Sequence, residues 1–350
     1  MRPTLIAGAG AILAVAAVIY MASPVLDVAP DPAGGVRHSI PLDQIRDGGP
    51  PPDGIPSIDS PVFGDGAGAS LPDGEIVIGL EIGGDARAYP LSILVWHEIV
   101  NDVVGGVPVA VTYCPLCYTS QVFDRRIGGE AAEFGTSGKL YNSNLLMYDR
   151  PTGSYWSQAL GEAVRGELTG ERLAPVPFDL ARWGDWRELY PGTRLLTEDT
   201  GHVRAYGADP YGSYYTDGRI LFPVSNEDDR LGPKEVVMGL LLGGQQKAYR
   251  QSDIEAGPVN DVVGGTPVLL VSAYEHNSRG FERTVGGEAL DFELDGAVLR
   301  DLQTGSTWDY GGLAVSGELE GERLVRLPLH PGFWFEWAAF YPGTQLYGGA

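Results

Sequence analysis

Basic residues are scarce in this chain, and lysine is the scarcest of them. The 350 residues include 24 Lys and Arg against 46 Asp and Glu, which gives a formal net charge of −22. Only three of the basic residues are lysines, and no stretch gathers enough positive charge to neutralise a row of phosphates. The composition therefore excludes a nucleic-acid partner, and the scattered acidic side chains are typical of a solvated surface.

Cysteine is also rare, with two residues, whereas glycine and proline are abundant. The 50 Gly and 26 Pro together occupy 76 of the 350 positions, which argues against a bundle of long helices. Hydrophobic residues make up 43% of the chain, enough for two modest cores that are joined by many turns. We therefore expect a folded protein that is rich in turns.

One long apolar run stands near the start of the chain, at residues 5–21, directly behind Arg2. It is long enough to nearly cross the hydrocarbon core of a bilayer. We interpret residues 1–22 as an export signal that is either retained as a membrane anchor or cleaved. With no Cys near its end, a lipid-attached lipoprotein is excluded. The rest of the chain is expected at the extracytoplasmic face of the membrane or, after cleavage, in the periplasm or medium, where thiols oxidise easily.

The domain organisation follows from composition and from an internal repeat. Residues 23–70 are rich in Pro, Gly, Asp and Ser and have no sustained period, which predicts a linker whose end packs on the first domain. The remainder contains an internal sequence repeat: VNDVVGGVPV (100–109) is repeated as VNDVVGGTPV (259–268), and GELTGERL (166–173) is repeated as GELEGERL (317–324). We predict two homologous units, 71–225 and 226–350.

The fold class follows from the pattern inside each unit. Short runs of Val, Ile, Leu, Tyr and Phe alternate with Gly-Gly, Pro-Gly and Thr-Gly turns. This pattern predicts a mainly β protein of two tandem antiparallel units, each like a sandwich or a barrel, with a few short helices. The best helix candidates are residues 90–96 and 179–189. Trp183 and Trp186 are expected to pack the second of these helices on a sheet.

The duplication also separates scaffold from candidate function, because residues that only one unit keeps are not needed for the shared fold. His97 and Glu98 in WHEIVND are aligned with Ala and Gly in AGPVND of the second unit. Cys114 in TYCPLCYTSQVF is aligned with Ala in VSAYEHNSRGF, and Cys117 has no Cys counterpart. Both cysteines and the neighbouring His are therefore confined to the first unit, which makes the second a degenerate copy.

Hairpin geometry predicts that His97 and Cys114 are neighbours. The sequence VVGGVP is typical of a hairpin with a two-residue turn at 105–106, so the numbers of paired residues sum to 211. This register places Cys114 directly across from His97, where Cβ atoms lie roughly 4.5 to 5.5 Å apart. A bulge in either strand would shift the pairing.

Three chemistries use a C-x-x-C pair with a nearby His. Cys114, Cys117 and His97 make a soft three-ligand site for copper or zinc, with a fourth position for water, Glu98 or a residue of 138–150. The pair also suits a thiol–disulfide oxidoreductase, although the segment after Cys117 has the pattern of a strand rather than a helix. The third is a structural disulfide in an interaction module. We favour the metal site, with the metal ion and an exported redox or metal-handling protein as partners.

An insertion of about six residues within 138–150 is present only in the unit that has the cysteines. It contains Tyr141, Asn142, Ser143 and Asn144, whose amides and hydroxyls are poor direct ligands but can orient a ligating group. We expect this loop to fold over the cysteines, with Asn142 or Asn144 within about 6 Å of them as supporting residues.

Several long motifs carry a resemblance to a known family. YCPLC (113–117), WHEIVNDVVGG (96–106), LYNSNLLMYDR (140–150) and YWSQALGEAVRGELTGERL (155–173) closely resemble the prokaryotic family called domain of unknown function 3179. The resemblance implies an exported or membrane-attached protein with a Cys-Pro-Leu-Cys centre and implies no particular activity. This chain departs from the family pattern at Tyr118, where Gly is usual, and the larger side chain is expected to narrow access to Cys117.

Overall fold

The computed structural model describes residues 35–349, of which the larger part lies in sheets and turns. Strands account for 43% and helices for 10%, which confirms the prediction of a mainly β protein with a few short helices. The predicted export signal at 1–22 lies outside the described residues. Among the helices of residues 35–349, none is long and apolar enough to cross a membrane.

The first unit contains two helices, α1 (Leu91–Leu94) and α2 (Trp183–Leu189), within a series of short strands. The linker before it contributes β1 (Arg46–Asp47) and β2 (Phe63–Asp65). The strands of the unit itself are β3 (Ile76–Ile82), β4 (Asp85–Pro90), β5 (Ile99–Val104), β6 (Val107–Cys114), β7 (Thr119–Asp124), β8 (Arg126–Ile127), β9 (Glu130–Ala131), β10 (Phe134–Tyr141), β11 (Asn144–Asp149), β12 (Tyr155–Ser157), β13 (Glu162–Arg165), β14 (Ala174–Pro175), β15 (Asp179–Arg182) and β16 (Arg194–Leu196).

The second unit repeats this order with two further helices, α3 (Gln251–Glu255) and α4 (Trp334–Phe340). Its strands are β17 (Val236–Leu242), β18 (Gln245–Arg250), β19 (Val259–Val263), β20 (Thr266–Tyr274), β21 (Asn277–Glu282), β22 (Thr284–Val285), β23 (Glu288–Ala289), β24 (Phe292–Asp295), β25 (Val298–Asp301), β26 (Thr307–Trp308), β27 (Ala314–Ser316), β28 (Val325–Leu327), β29 (His330–Phe333) and β30 (Gln345–Leu346).

Three main sheets recur in the two units with the same connectivity. The first unit has the orders β15-β3-β4-β16-β2, β14-β7-β6-β5 and β1-β10-β11-β12-β13. The second has β29-β17-β18-β30, β19-β20-β21-β28 and β24-β25-β26-β27. Neighbouring strands are antiparallel except in the pairs β4–β16 and β18–β30. Each order is linear, so within residues 35–349 the sheets do not close into a barrel.

The described part of the predicted linker, residues 35–70, packs on the first unit. Ile40 and Ile58 are buried in its cores. Strand β1 pairs with β10, and β2 pairs with β16. Isolated apolar residues of this Pro/Gly-rich segment therefore attach it to the first unit, although its apolar residues do not recur with a regular period.

Helix α2 is shorter than the predicted 179–189 segment, because residues 179–182 form the edge strand β15 beside β3. The helix begins at Trp183 and ends at Leu189, two residues before the Pro191-Gly192 pair. Trp183 and Trp186 are fully buried, which confirms their predicted packing role. Helix α1 likewise covers four residues of the predicted 90–96 segment.

The two units contact each other through their equivalent edge strands, β15 and β29. Strand β15 of the first unit packs on β21 of the second, and β29 of the second packs on β7 of the first. At the β15–β21 contact, the buried Asp179 carboxylate accepts hydrogen bonds from Arg279 (2.7 and 2.8 Å) and Arg326 (2.7 Å). Burial alone would raise the pKa of Asp179, but the two guanidinium charges lower it. The Asp179 carboxylate therefore stabilises the fold at pH values above the pKa that it has in the unfolded chain. This stabilisation is lost as the pH falls through the lower pKa that Asp179 has in the folded protein.

Replacing Asp179 by Asn tests this junction. The change leaves two guanidinium groups, one of them buried, without their carboxylate. We expect the free energy of unfolding, measured by urea denaturation, to fall by about 3–5 kcal/mol.

The matched control is Asp73→Asn, which breaks the exposed ion pair between Asp73 and Arg187. Exposed pairs contribute little, so the urea midpoint should hardly move. Equal small shifts for both variants would contradict the importance of the Asp179 junction.

Candidate functional site

The C-x-x-C motif forms the tight turn between β6 and β7. Strand β6 ends at Cys114, which pairs with Thr119 at the start of β7. The turn is closed by the Cys117 N–H, which donates to the Cys114 carbonyl at 3.3 Å. Both thiols are free, and Cys114 and Cys117 are only 1% and 0% exposed. A four-residue turn thus brings two reduced thiols together in the interior.

The insertion folds over this turn, as predicted from the sequence. Its hairpin turn is formed by Asn142 and Ser143, whose backbones are left-handed with φ of 51° and 62°. The Nδ2 of Asn144 donates to the Cys117 Sγ at 3.1 Å, and the Ser143 carbonyl lies 3.9 Å from the Cys114 Sγ. The predicted distance of less than 6 Å is therefore confirmed for Asn144. Asn142 instead accepts a hydrogen bond from the Ser225 N–H.

Gln158 completes the polar network behind the thiols. It accepts a hydrogen bond from the Asn144 Nδ2 at 2.7 Å and donates to the Thr112 hydroxyl and the Thr119 carbonyl, both at 3.1 Å. The Asn144 amide is thereby fixed with one N–H toward sulfur. Gln158 was not among the predicted site residues. The repeat carries a signal for it, because the first unit reads WSQALG where the second reads WDYGG and has no Gln.

Burial raises the pKa of two acidic groups, Cys117 and Glu98. It raises the pKa of Cys117 well above its usual value, and the hydrogen bond with Cys114 and the charges of Cys114 and Glu336 raise it further. Burial also raises the pKa of Glu98 to about 8. The Glu98 carbonyl accepts a hydrogen bond from the N–H of Tyr113, the residue before Cys114, at 2.8 Å. Cys117 and Glu98 are therefore mostly protonated and uncharged at neutral pH.

Two tyrosines cover the turn, Tyr118 from the turn itself and Tyr214 from the connector, which is the segment 197–235 between β16 and β17. Tyr214 donates from its hydroxyl to the Leu116 carbonyl at 2.7 Å. Tyr118, inside the turn, stacks on Phe333 with ring centroids 5.4 Å apart. Its φ of 56° is left-handed, which accounts for the preference of the resembling family for Gly at this position.

The second unit closes the opposite side. The Phe333 N–H of β29 donates to the Cys117 carbonyl at 2.8 Å. Close by, Glu336 is fully buried, with its Oε2 atom 3.1 Å from His330 Nε2. The sequence predicts that this unit is scaffold and gives no indication of Phe333 or Glu336. Their contacts with the turn depend on how the two units pack.

His97 lies outside the thiol pair. The predicted register is correct along the hairpin, where Asn101 pairs with Ala110, but the ladder ends at Ile99 and does not reach His97. Glu98, with a left-handed φ of 59°, interrupts the strand alternation. The His97 Nδ1 lies 2.7 Å from the Pro56 carbonyl and its Nε2 lies 2.7 Å from the Tyr206 hydroxyl. Burial lowers the pKa of His97 to about 4, so the ring is neutral.

The arrangement supplies two thiols and their support rather than a complete ligand shell. Among residues 35–349, no group of three or more His, Cys, Asp or Glu side chains could hold a metal ion as the side chains stand. Of the predicted site residues, the structure brings together Cys114, Cys117 and Asn144. Glu98 is linked through its main chain to the residue before Cys114, whereas Asn142 and His97 bind elsewhere.

The comparisons with known proteins agree with the resemblance that the motifs carry. The family described as "Protein of unknown function (DUF3179)" matches residues 52–344, a range that includes both units and the C-x-x-C turn. No curated protein and no solved structure matches the chain. Because the match spans well over half of the sequence, this chain belongs to the DUF3179 family.

Proposed function

We propose that the protein is an extracytoplasmic metal-binding protein in which Cys114 and Cys117 bind one soft metal ion, copper(I) in preference to zinc. The observation that carries the proposal is the pair of free, buried thiols in one turn, with the Asn144 N–H donated to one sulfur. Such a donor stabilises sulfur that carries negative charge, as it does when it ligates a metal.

Charge balance supports a cation at this position. Two buried thiolates are unfavourable without a positive partner, and burial raises the pKa of Cys117. The neighbouring charges that act on Cys117 are those of Cys114 and Glu336, which are both acidic. A bound metal ion supplies the missing positive charge and displaces the thiol protons.

The number of ligands favours copper(I) over zinc. Structural zinc is almost always held by four protein ligands, and catalytic zinc by three. The described residues offer two thiols without a third His, Cys, Asp or Glu in place. Thiolates select copper(I), a soft ion that does not require a tetrahedral shell.

Thiol–disulfide exchange is the less suitable alternative for this geometry. It requires an accessible thiolate that attacks a partner disulfide. Both thiols are covered here, by Tyr214 and Phe333 among others, and the raised pKa of Cys117 lowers its thiolate fraction.

The extracytoplasmic location in the proposal comes from the apolar run at 5–21, which would place the site outside the membrane as an anchored or released protein.

Replacing either cysteine by Ser tests the metal site. Reduced protein, equilibrated without oxygen against copper(I) in a competing chelator, should take up one ion per chain. Cys114→Ser and Cys117→Ser should each abolish this uptake, because a hydroxyl does not replace a thiolate as a soft ligand. Elemental analysis after gel filtration measures the stoichiometry, and zinc(II) in a parallel sample should bind more weakly.

The matched control is Ala273→Ser, which places the same hydroxyl at the equivalent position of the second unit and should leave uptake unchanged. Protein that takes up no copper while both thiols react with a thiol reagent after unfolding would contradict the proposal. Isolation of the protein as a stable 114–117 disulfide that reductants do not open would favour the structural alternative.

Asn144 should tune the affinity without being a ligand. Asn144→Leu removes the N–H that points at the Cys117 sulfur, and loss of such support typically weakens metal binding by about 10- to 100-fold. Competition titration against the chelator measures the change, with the melting temperature as a check on folding. Asn142→Asp, in the same turn but directed at Ser225, should leave the affinity nearly unchanged. Equal losses in both variants would indicate a general effect on the turn.

A further inference from the structure

A large open cleft lies on the first unit beside the thiol site and has no role in the proposed metal binding. Its volume is about 1140 Å³. It lies between residues 64–76, helix α1, the end of β16 and the connector segment 206–215. We call it the tyrosine cleft, after the four tyrosines that line it: Tyr113, Tyr118, Tyr206 and Tyr215.

The tyrosine rings form a connected and well-supported wall. Tyr118 packs edge-on against both Tyr113 and Tyr215, with ring centroids 6.1 and 6.3 Å apart. The Tyr206 hydroxyl is held by His97 Nε2 at 2.7 Å and by the Thr200 hydroxyl at 2.6 Å. His97, which lies outside the thiol pair, thus fixes one wall of the cleft. Rings held in this way contact a bound molecule at little entropic cost.

The charged side chains that line the cleft are all acidic. Four carboxylates line it, from Asp65, Glu75, Glu198 and Asp209, and no Lys, Arg or His is among its lining residues. None of the four takes part in an ion pair within residues 35–349, whereas nearby Asp85 and Asp102 are both paired with Arg87. Main-chain N–H groups bind three of the carboxylates without neutralising them.

We propose that the tyrosine cleft binds an organic cation of the amine or quaternary-ammonium class. Carboxylates that have no protein counter-charge attract a cation, and tyrosine faces bind ammonium groups through cation–π contacts. Glu75 and Tyr118 both line the cleft, so a cation bound there can contact a carboxylate and a tyrosine ring together. The same charges repel anionic ligands.

Choline and its uncharged isostere 3,3-dimethylbutanol provide the test, because they share a shape and differ in charge. Calorimetry on the wild-type chain should show saturable binding of choline and much weaker binding of the alcohol. Glu75→Gln combined with Glu198→Gln keeps hydrogen-bond acceptors in place and should weaken choline binding roughly 5- to 10-fold. Glu318→Gln, an exposed change in the second unit, is the matched control and should have no effect.

Several results would overturn the proposal: equal binding of choline and the alcohol, tighter binding of a neutral sugar, binding of calcium ions alone, or no ammonium binding at millimolar concentration. Cys114→Ser should bind choline as the wild type does, because the cleft does not depend on the metal. Failure of the cleft proposal is thereby distinguished from failure of the proposed metal site.

Discussion

The main-chain hydrogen bond from the Phe333 N–H to the Cys117 carbonyl is the contact on which the thiol site depends. It joins the second unit to the C-x-x-C turn of the first at 2.8 Å, where Phe333 and Phe335 belong to the same buried cluster as both cysteines. Gly332 allows the approach, because a Cβ there would lie 2.9 Å from the Thr119 hydroxyl and 3.2 Å from the Glu336 carboxylate. The site is therefore built by both units, although its cysteines belong to one.

The duplication explains why the two junctions between the units differ in chemistry. Equivalent strands, β15 and β29, each pack on the partner unit. At the β15 junction, Asp179 and two arginines form a permanently charged network. At the β29 junction, the Phe333 N–H donates to the Cys117 carbonyl, next to two buried cysteines. One junction contains a buried ion-pair network, and the other joins the main chains of the two units beside the thiols.

The repeat and its local patterns predicted much of the fold and part of the site. The strand content, the hairpin register and the position of Asn144 are determined by alternation, turn residues and an insertion that can be counted. Residues 179–182 became a strand because they pair with residues 76–79 of β3, at least 100 positions earlier in the chain, which is beyond the reach of local pattern. Glu98 has a left-handed backbone, which ended the β5–β6 ladder before His97. The periodicity of the sequence does not indicate where such a residue stands.

The central claim is that the two buried thiols are metal ligands. X-ray absorption at the copper edge of the reduced, copper-loaded protein tests it most directly, because it counts the atoms bound to the metal. The account predicts a first shell of two sulfur atoms that is lost when Cys117 is replaced by Ser. A shell made only of nitrogen and oxygen, or one that is unchanged in that variant, would contradict it.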